Sequence, residues 1–191
     1  MAENPSDEID IIDANDLDFP KVERPRIVDG RVYIVEYAVD AQGELPAKRM
    51  LDELKAGLLH RDPDHQEGEP WPDEAQPHDW AKLMTLIRHV AEQGIPPHGR
   101  AVNDLIDGIW EFKRGSKRVS FFDTPGDGTY SPKLRITDRA LASNDDDYWW
   151  FPDFDDLIRL GHAFVKTDTR TSEPDLERCP RVREEDVAYD R

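Results

Sequence analysis

The chain of 191 residues is long enough for one ordinary hydrophobic core, and its formal net charge of −17 makes it strongly acidic. Its single cysteine, Cys179, excludes an internal disulfide and a metal site built from several cysteines. No apolar run approaches the ~18 residues of a membrane helix, and the N-terminus MAENPSDEID lacks the basic and apolar segments of a secretory signal. These features predict a soluble, cytoplasmic protein with no membrane partner.

The negative charge is concentrated in three segments of the sequence. Residues 1–30, 60–80 and 123–156 each carry a net charge of −6, so the rest of the chain sums to +1. Nucleic-acid binding is driven by Lys and Arg, and an acidic protein is at first sight a poor candidate for it. Because the acidity is confined to these segments, the near-neutral remainder is free to form a local basic surface.

The same segments indicate how the chain is organised. Residues 1–30 mix acids with prolines and show no sustained period, which predicts a mostly disordered acidic tail. A single domain is expected over residues 31–186, with acidic insertions at about 61–78 and 123–156, and residues 187–191 form a short second tail. The prolines of the first insertion cannot continue a helix, and the second insertion is too long for a plain loop.

The first half of the domain reads as a strand and two helices. Residues 31–39 (RVYIVEYAV) are β-branched and aromatic on both faces, which is typical of a strand. Apolar residues then recur at helical spacing over residues 46–60, and a proline is tolerated in the first turn of that helix. A second helix is predicted from Asp79, a plausible N-cap, to Gly94, a plausible C-cap.

Residues 104–122 (DLIDGIWEFKRGSKRVSFF) predict a β-hairpin. Two short runs of aromatic and β-branched residues flank a polar connection that contains a glycine. Four of the six connecting residues, 113–118, are cationic, although a hairpin needs no positive charge in its turn. Two interpretations remain open: a site for an anion, most plausibly phosphate, or a solvated loop.

The segment after the hairpin contains an acidic run and an aromatic run. The aromatic run YWWF, residues 148–151, is more often found packed over the edge of a core than bound to a ligand. The aspartates Asp145–Asp147 precede it, but adjacent residues on a flexible chain rarely converge on one ion, and no EF-hand spacing is present. No metal site is therefore predicted.

The C-terminal part reads as a strand followed by a helix. Residues 157–166 (LIRLGHAFVK) predict a strand in which the alternate residues from Ile158 to Phe164, His162 among them, share one face. A histidine in an apolar stripe is more often a hydrogen-bonded core residue than a catalyst, and both interpretations remain open. Residues 171–183 predict a short, polar C-terminal helix.

Three motifs, in this order, carry a resemblance to a known family. They are GELPAKRMLDEL in the first helix, AVNDLIDGIWEFKRGSKRVSFF in the hairpin, and LIRLGHAFVKTDTRTSEPDLERC near the C-terminus. The chain resembles the RelE/ParE superfamily of small bacterial toxins, closest to its HigB-like, phage-derived branch, over residues 31–185 apart from the two insertions. The resemblance implies an α+β fold with a small curved antiparallel sheet, two helices on one face and a short C-terminal helix. The open concave face would carry the basic residues.

The resemblance also implies a function. RelE-like members are the toxin components of type II toxin–antitoxin systems, and they cleave messenger RNA at the ribosome and so inhibit translation. The nucleophile is the RNA's own 2′-hydroxyl, so no cofactor is expected. The reaction requires removal of a proton from that hydroxyl, stabilisation of a crowded phosphate and a proton for the leaving 5′-oxygen. The implied partners are messenger RNA, the ribosome and a separately encoded antitoxin with a helix-turn-helix domain.

Matching the motifs residue by residue gives the implied site. Arg118 would stabilise the phosphate through paired donors, and Lys113 and Lys166 would supply charge or a proton. His162 is also matched by motif, with its role left open. The residues implied to position the RNA backbone are Arg114, Lys117 and Arg170.

Two other functions remain open on the same fold. A ParE-like protein would bind and inhibit DNA gyrase and would cleave no RNA. A catalytically idle RelE-fold protein would instead use its acidic tail and insertions as a binding surface. The motif set favours the HigB-like branch over the ParE-like alternative.

Overall fold

The computed structural model describes residues 22–142 and 148–191, which form an α+β fold with one six-stranded sheet and three α-helices. The strands are β1 (Arg26–Asp29), β2 (Ile34–Tyr37), β3 (Val102–Ile106), β4 (Ile109–Arg114), β5 (Lys117–Thr124) and β6 (Leu157–Val165). The helices are α1 (Pro46–Ala56), α2 (Gln76–Gln93) and α3 (Glu173–Ala188), with a short 3₁₀ turn at Arg139–Leu141. The predicted fold class is confirmed.

The strands follow the order β1-β2-β6-β5-β4-β3 across the sheet. All neighbouring pairs are antiparallel except β2 and β6, which run parallel. Parallel neighbours need a long crossover connection, and here that connection contains α1, α2 and the three strands β3 to β5. The expected antiparallel sheet is therefore correct for every pair but one.

The helices cover both faces of the sheet. Helices α1 and α2 pack on one face, called here the α1–α2 face, over the larger core that includes Trp110 and Phe112. Helix α3 packs on the opposite face, the α3 face, over a smaller core that includes Ile109 and Phe122. Because side chains alternate along a strand, Glu111 and Lys113 of β4 point to the α3 face together with Ile109.

The predicted N-terminal tail is partly a strand. Most of the tail prediction falls on residues 1–21, which lie outside the described residues. Residues Arg26–Asp29 form β1 and pair with β2 in the sheet. The reason is local, since Ile27 and Val28 are apolar, β-branched residues that pack against the larger core. The prediction of disorder is wrong for these four residues.

A bulge in β6 breaks the predicted apolar stripe. Phe121 pairs with Leu160 and Val119 with Ala163, so two residues of β6 lie opposite Ser120 alone. The extra residue shifts the alternation. Leu160 packs on the α1–α2 face, whereas Phe164 packs on the α3 face. The prediction that residues 158–164 alternate onto one face is therefore wrong at the bulge.

The second insertion contributes aromatic residues to the larger core. Trp110 of β4 makes edge contacts with Phe151 and Phe154, with ring centroids 5.3 and 5.8 Å apart. Trp150 is stacked on the same Trp110 ring at 6.0 Å. The prediction that the aromatic run packs over the core edge is confirmed, while Asp145–Asp147 lie outside the described residues.

All three helices differ from their predicted boundaries. Helix α1 ends at Ala56 and not at residue 60, because Gly57 adopts the left-handed conformation. Helix α2 begins at Gln76, so Asp79 lies in its first turn instead of capping it, and its carboxylate is paired with the hairpin. Helix α3 is capped by Ser172, whose hydroxyl accepts a hydrogen bond from the backbone N–H of Asp175. It continues to Ala188 because Val187 is buried in the smaller core, and so it is longer than predicted.

Asp123, at the end of β5, should make stability depend on pH. Burial raises its pKa to about 6, above the value of about 3.9 for an unfolded aspartate. The folded protein therefore binds this proton more tightly. The resulting stabilisation is fully present below pH ~4 and is lost as the pH rises through ~6.

An Asp123→Asn variant should remove this dependence, because the amide stays neutral at every pH. Between pH 4 and 7 the wild type should lose up to about 3 kcal/mol of unfolding free energy relative to the variant. Urea unfolding of both proteins at several pH values measures the difference. A difference that stays constant over this interval would show that Asp123 ionises normally.

Candidate functional site

Three of the predicted catalytic cations come together on the α3 face. Lys113 and Arg118 are paired across β4 and β5, and Lys166 directly follows β6, with its backbone N–H 2.8 Å from the carbonyl oxygen of Ser116. Burial lowers the pKa of Lys113, and the positive charges of Arg118 and Lys166 lower it further, against the opposing effect of Glu111. The three cations therefore act on one another electrostatically.

A buried carboxylate lies among these cations. Glu111 is 2% exposed, and its Oε1 lies 3.6 Å from Nε of Arg118. Burial raises the pKa of Glu111, and the charges of Arg118, Lys166 and Lys113 oppose that rise. Three cations and one carboxylate leave a formal charge of +2. We call Lys113, Arg118, Lys166 and Glu111 the cation cluster.

Arg118 is held in place by the backbone of the hairpin turn. Its Nη1 donates to the carbonyl oxygens of Gly115 at 2.7 Å and Lys117 at 2.8 Å. These two bonds fix the guanidinium near the end of the hairpin, and Glu111 supplies the opposite charge beside it. The donor group is therefore positioned before any ligand arrives, which reduces the cost of ordering a long side chain.

Lys117 lies on the opposite face and is not available to a ligand. Its Nζ is 2.8 Å from Asp62, 2.9 Å from Asp64 and 3.2 Å from Asp79, and its side chain is 1% exposed. Two of these carboxylates belong to the first acidic insertion. The implied role of Lys117 in positioning an RNA backbone does not fit this geometry, in which Lys117 anchors the insertion to the hairpin.

Two further residues were implied to position the RNA backbone, Arg114 and Arg170, and neither belongs to the cation cluster. Arg114 shares the α1–α2 face with Lys117, and its Nε donates to Asp79 at 2.7 Å. Arg170 is exposed in the connection between β6 and α3. Of the three residues implied to position RNA, Arg114 thus faces away from the cluster and Arg170 remains accessible.

His162, the fourth residue of the implied catalytic set, contacts residues outside the cation cluster. Its Nε2 lies 2.9 Å from Oδ1 of Asp175, and its ring stacks on Phe164 with centroids 5.6 Å apart. Burial lowers the pKa of His162 and Asp175 opposes this, while Arg178 and Arg61 lower it further. The charges acting most strongly on His162 are therefore not those of the cation cluster. This geometry fits the interpretation of a hydrogen-bonded structural histidine.

Sequence reasoning missed Glu111 as part of the site. The sequence did contain a signal for Glu111: it precedes Lys113 by two residues in a predicted strand, and residues at that spacing share one face of a sheet. It also missed that four basic residues of the hairpin divide between two faces. The described site offers an anion two ammonium groups and one guanidinium, and the lowered pKa of Lys113 makes its ammonium a better proton donor than an ordinary lysine.

The fold and this site define a small α+β protein with a cation cluster on one face of an open sheet. Comparison with protein-family models and with curated protein sequences finds no match for the chain. Within residues 22–142 and 148–191, no group of His, Cys, Asp and Glu is arranged to hold a metal ion. No helix in these two ranges has the length and apolar character required to cross a membrane.

Proposed function

We propose that this protein is the toxin of a type II toxin–antitoxin system and that it is an endoribonuclease cleaving messenger RNA at the ribosome. The observation that carries the proposal is the cation cluster, in which Lys113, Arg118 and Lys166 gather on one face and retain a formal charge of +2. A phosphate backbone is the ligand that such a cluster attracts. The three motifs that resemble the HigB-like branch support the same assignment.

In the proposed reaction, the cluster binds the phosphate that is attacked by the neighbouring 2′-hydroxyl. Negative charge develops on the phosphate oxygens as the bond forms, and fixed positive groups stabilise that charge. Arg118 is suited to this role because two backbone carbonyls hold its guanidinium in place. Lys166 adds charge on the β6 side of the phosphate.

Lys113 is the proposed proton donor for the leaving 5′-oxygen. Its lowered pKa makes the ammonium a better acid than an ordinary lysine. Glu111 is proposed as a positioning residue, since it is buried beneath the cations and offsets part of their mutual repulsion. The 2′-hydroxyl itself is the nucleophile: its proton passes to water as the O2′–P bond forms, and the P–O5′ bond breaks with the proton from Lys113, so the proposed mechanism uses no cofactor.

The proposed partners follow from the same site. Messenger RNA and the ribosome place the activity in the cytoplasm. An antitoxin, proposed to carry a helix-turn-helix domain, would neutralise the protein by setting acidic side chains against the cation cluster. The acidic insertion already uses this chemistry on the other face, where Asp62 and Asp64 neutralise Lys117.

Induced expression followed by mapping of RNA 5′ ends tests the proposal. Wild-type protein should generate new 5′ ends within translated messages. The Arg118→Ala, Lys166→Ala double variant should reduce their yield by at least about a hundredfold, because removing a single transition-state donor commonly costs that much and this variant removes two. The matched control replaces two exposed cations on the helices, Lys48→Ala with Arg88→Ala, and should cleave like wild type.

Folding of each variant is checked by circular dichroism, since Arg118→Ala leaves Glu111 without its nearest cation. An Arg118→Lys, Lys166→Ala variant retains a charge opposite Glu111 but loses the paired donors of the guanidinium, and it should also be inactive. Unchanged transcripts with wild-type protein, or equal cleavage by folded double variants, would contradict the proposal. Inhibition of gyrase in a supercoiling assay, without RNA cleavage, would favour the ParE-like alternative.

A further inference from the structure

A second basic site lies next to the cation cluster. A cavity of about 360 Å³ opens between α2, the connection that follows it, and the end of the β4–β5 hairpin. Its polar lining consists mainly of Lys82, His89, His98, Lys113 and Arg114. Asp79 pairs with both Arg114 of the cavity and Lys117, so the cavity adjoins the network around Lys117, and Lys113 is common to the cavity lining and the cation cluster.

The charge of this cavity is unusual for the chain. None of the Asp and Glu residues within 22–142 and 148–191 lines the cavity, whereas two lysines and one arginine do. Arg114 has a counter-charge in Asp79, which accepts a hydrogen bond from its Nε at 2.7 Å. A guanidinium has five N–H donors, so this bond leaves others for a ligand. The lining therefore selects for an anion.

The volume of the cavity and its apolar lining indicate a ligand larger than a simple inorganic anion. Small-molecule sites have volumes of roughly 300–1,000 Å³ and combine apolar walls with a few placed polar groups. Here Leu86, Pro97 and Ala101 supply apolar surface beside two imidazoles. Imidazole rings are among the side chains on which nucleic-acid bases stack.

We infer that this cavity binds a nucleoside monophosphate unit, with the phosphate on Lys82 and Arg114 and the base beside the imidazoles and Leu86. The inference does not require RNA cleavage. The unit is either a free mononucleotide or one nucleotide of an RNA strand, since both present the same phosphate, ribose and base.

Calorimetric titration of the full-length protein with AMP, CMP, GMP and UMP tests the inference. At least one nucleotide should bind tenfold or more tightly than inorganic phosphate. Lys82→Glu should weaken that binding at least tenfold. Arg88→Glu makes the same charge change at an exposed position of α2 outside the cavity, and its effect should stay within twofold.

The contribution of the base is tested separately with ribose 5-phosphate. His98→Ala should weaken nucleotide binding several-fold while leaving the affinity for ribose 5-phosphate nearly unchanged. A competing RNA hexanucleotide distinguishes the two sources: displacement of the mononucleotide identifies a strand-binding subsite, and persistence identifies a site for free nucleotide. Failure of all four nucleotides to bind more tightly than phosphate, or equal effects of Lys82→Glu and Arg88→Glu, would overturn the inference. Nucleotide binding by a protein that cleaves no RNA would leave it intact.

Discussion

Replacing Lys117 by methionine is expected to lower the free energy of unfolding by about 3–5 kcal/mol. Both Lys117 and Asp62 have side chains that are 1% exposed, and their charged atoms are 2.8 Å apart. Methionine fills similar volume but removes the ammonium, which leaves the Asp62 carboxylate buried without its cation. Asp64 is half exposed and finds water instead. Urea unfolding at neutral pH measures the loss.

Lys48→Met is the matched control for this variant. Lys48 pairs with Asp52 at 2.6 Å on the exposed surface of α1, and exposed pairs of this kind contribute about 0–1 kcal/mol. A second comparison adds Asp62→Asn to Lys117→Met, which should recover part of the lost stability by removing the orphaned charge. Equal costs for Lys117→Met and Lys48→Met would show that the insertion is not held to the hairpin by this network.

Asp186→Ala should be the other strongly destabilising substitution, again by about 3–5 kcal/mol. Asp186 is fully buried in α3, and its Oδ1 accepts hydrogen bonds from Nε of Arg24 and the backbone N–H of Val39, each at 2.8 Å. The buried guanidinium of Arg159 lies 3.7 Å from its other oxygen. Alanine leaves these donors without their acceptor, and the melting temperature should fall accordingly.

Two variants define what Asp186 contributes. Asp186→Asn keeps an acceptor oxygen for Val39 but removes the charge, so it should lose less stability than alanine. Glu184→Ala removes an exposed α3 carboxylate paired with Arg183, and its cost should remain within about 0.5 kcal/mol. If Asp186→Ala were no worse than Glu184→Ala, the neighbouring carboxylates Glu36 and Asp190 would be sufficient to neutralise Arg159.

The local sequence pattern was sufficient to predict the order of strands and helices and part of the candidate site. Strand alternation places Lys113 and Arg118 on one face and Arg114 and Lys117 on the other, because the turn consists only of Gly115–Ser116 and the flanking residues belong to strands. Counting all four as one connecting loop concealed this division. The predicted basic site therefore included residues that lie on the other face of the sheet. Three of its cations, Lys113, Arg118 and Lys166, do lie together.

The remaining features depend on contacts that are distant in sequence. Nothing within the hairpin indicates that Lys117 is buried, since its partners Asp62 and Asp64 come from an insertion more than fifty residues earlier. The parallel pairing of β2 with β6 likewise joins the two ends of the domain. The bulge opposite Ser120 is equally hidden, because a shift of one residue leaves the local composition of β6 unchanged.

The two faces of the hairpin differ in how ionic strength affects them. Salt screens exposed charges over roughly 10 Å at 0.1 M and acts much less on pairs removed from water. The Lys117–Asp62 pair is buried on one side of the strands, whereas the cations on the other side are partly exposed to solvent and its counterions. Added salt therefore weakens the attraction of these cations for a polyanion, while the hairpin turn that carries them keeps its conformation. Binding of a polyanion should be lost at a lower salt concentration than the folded structure.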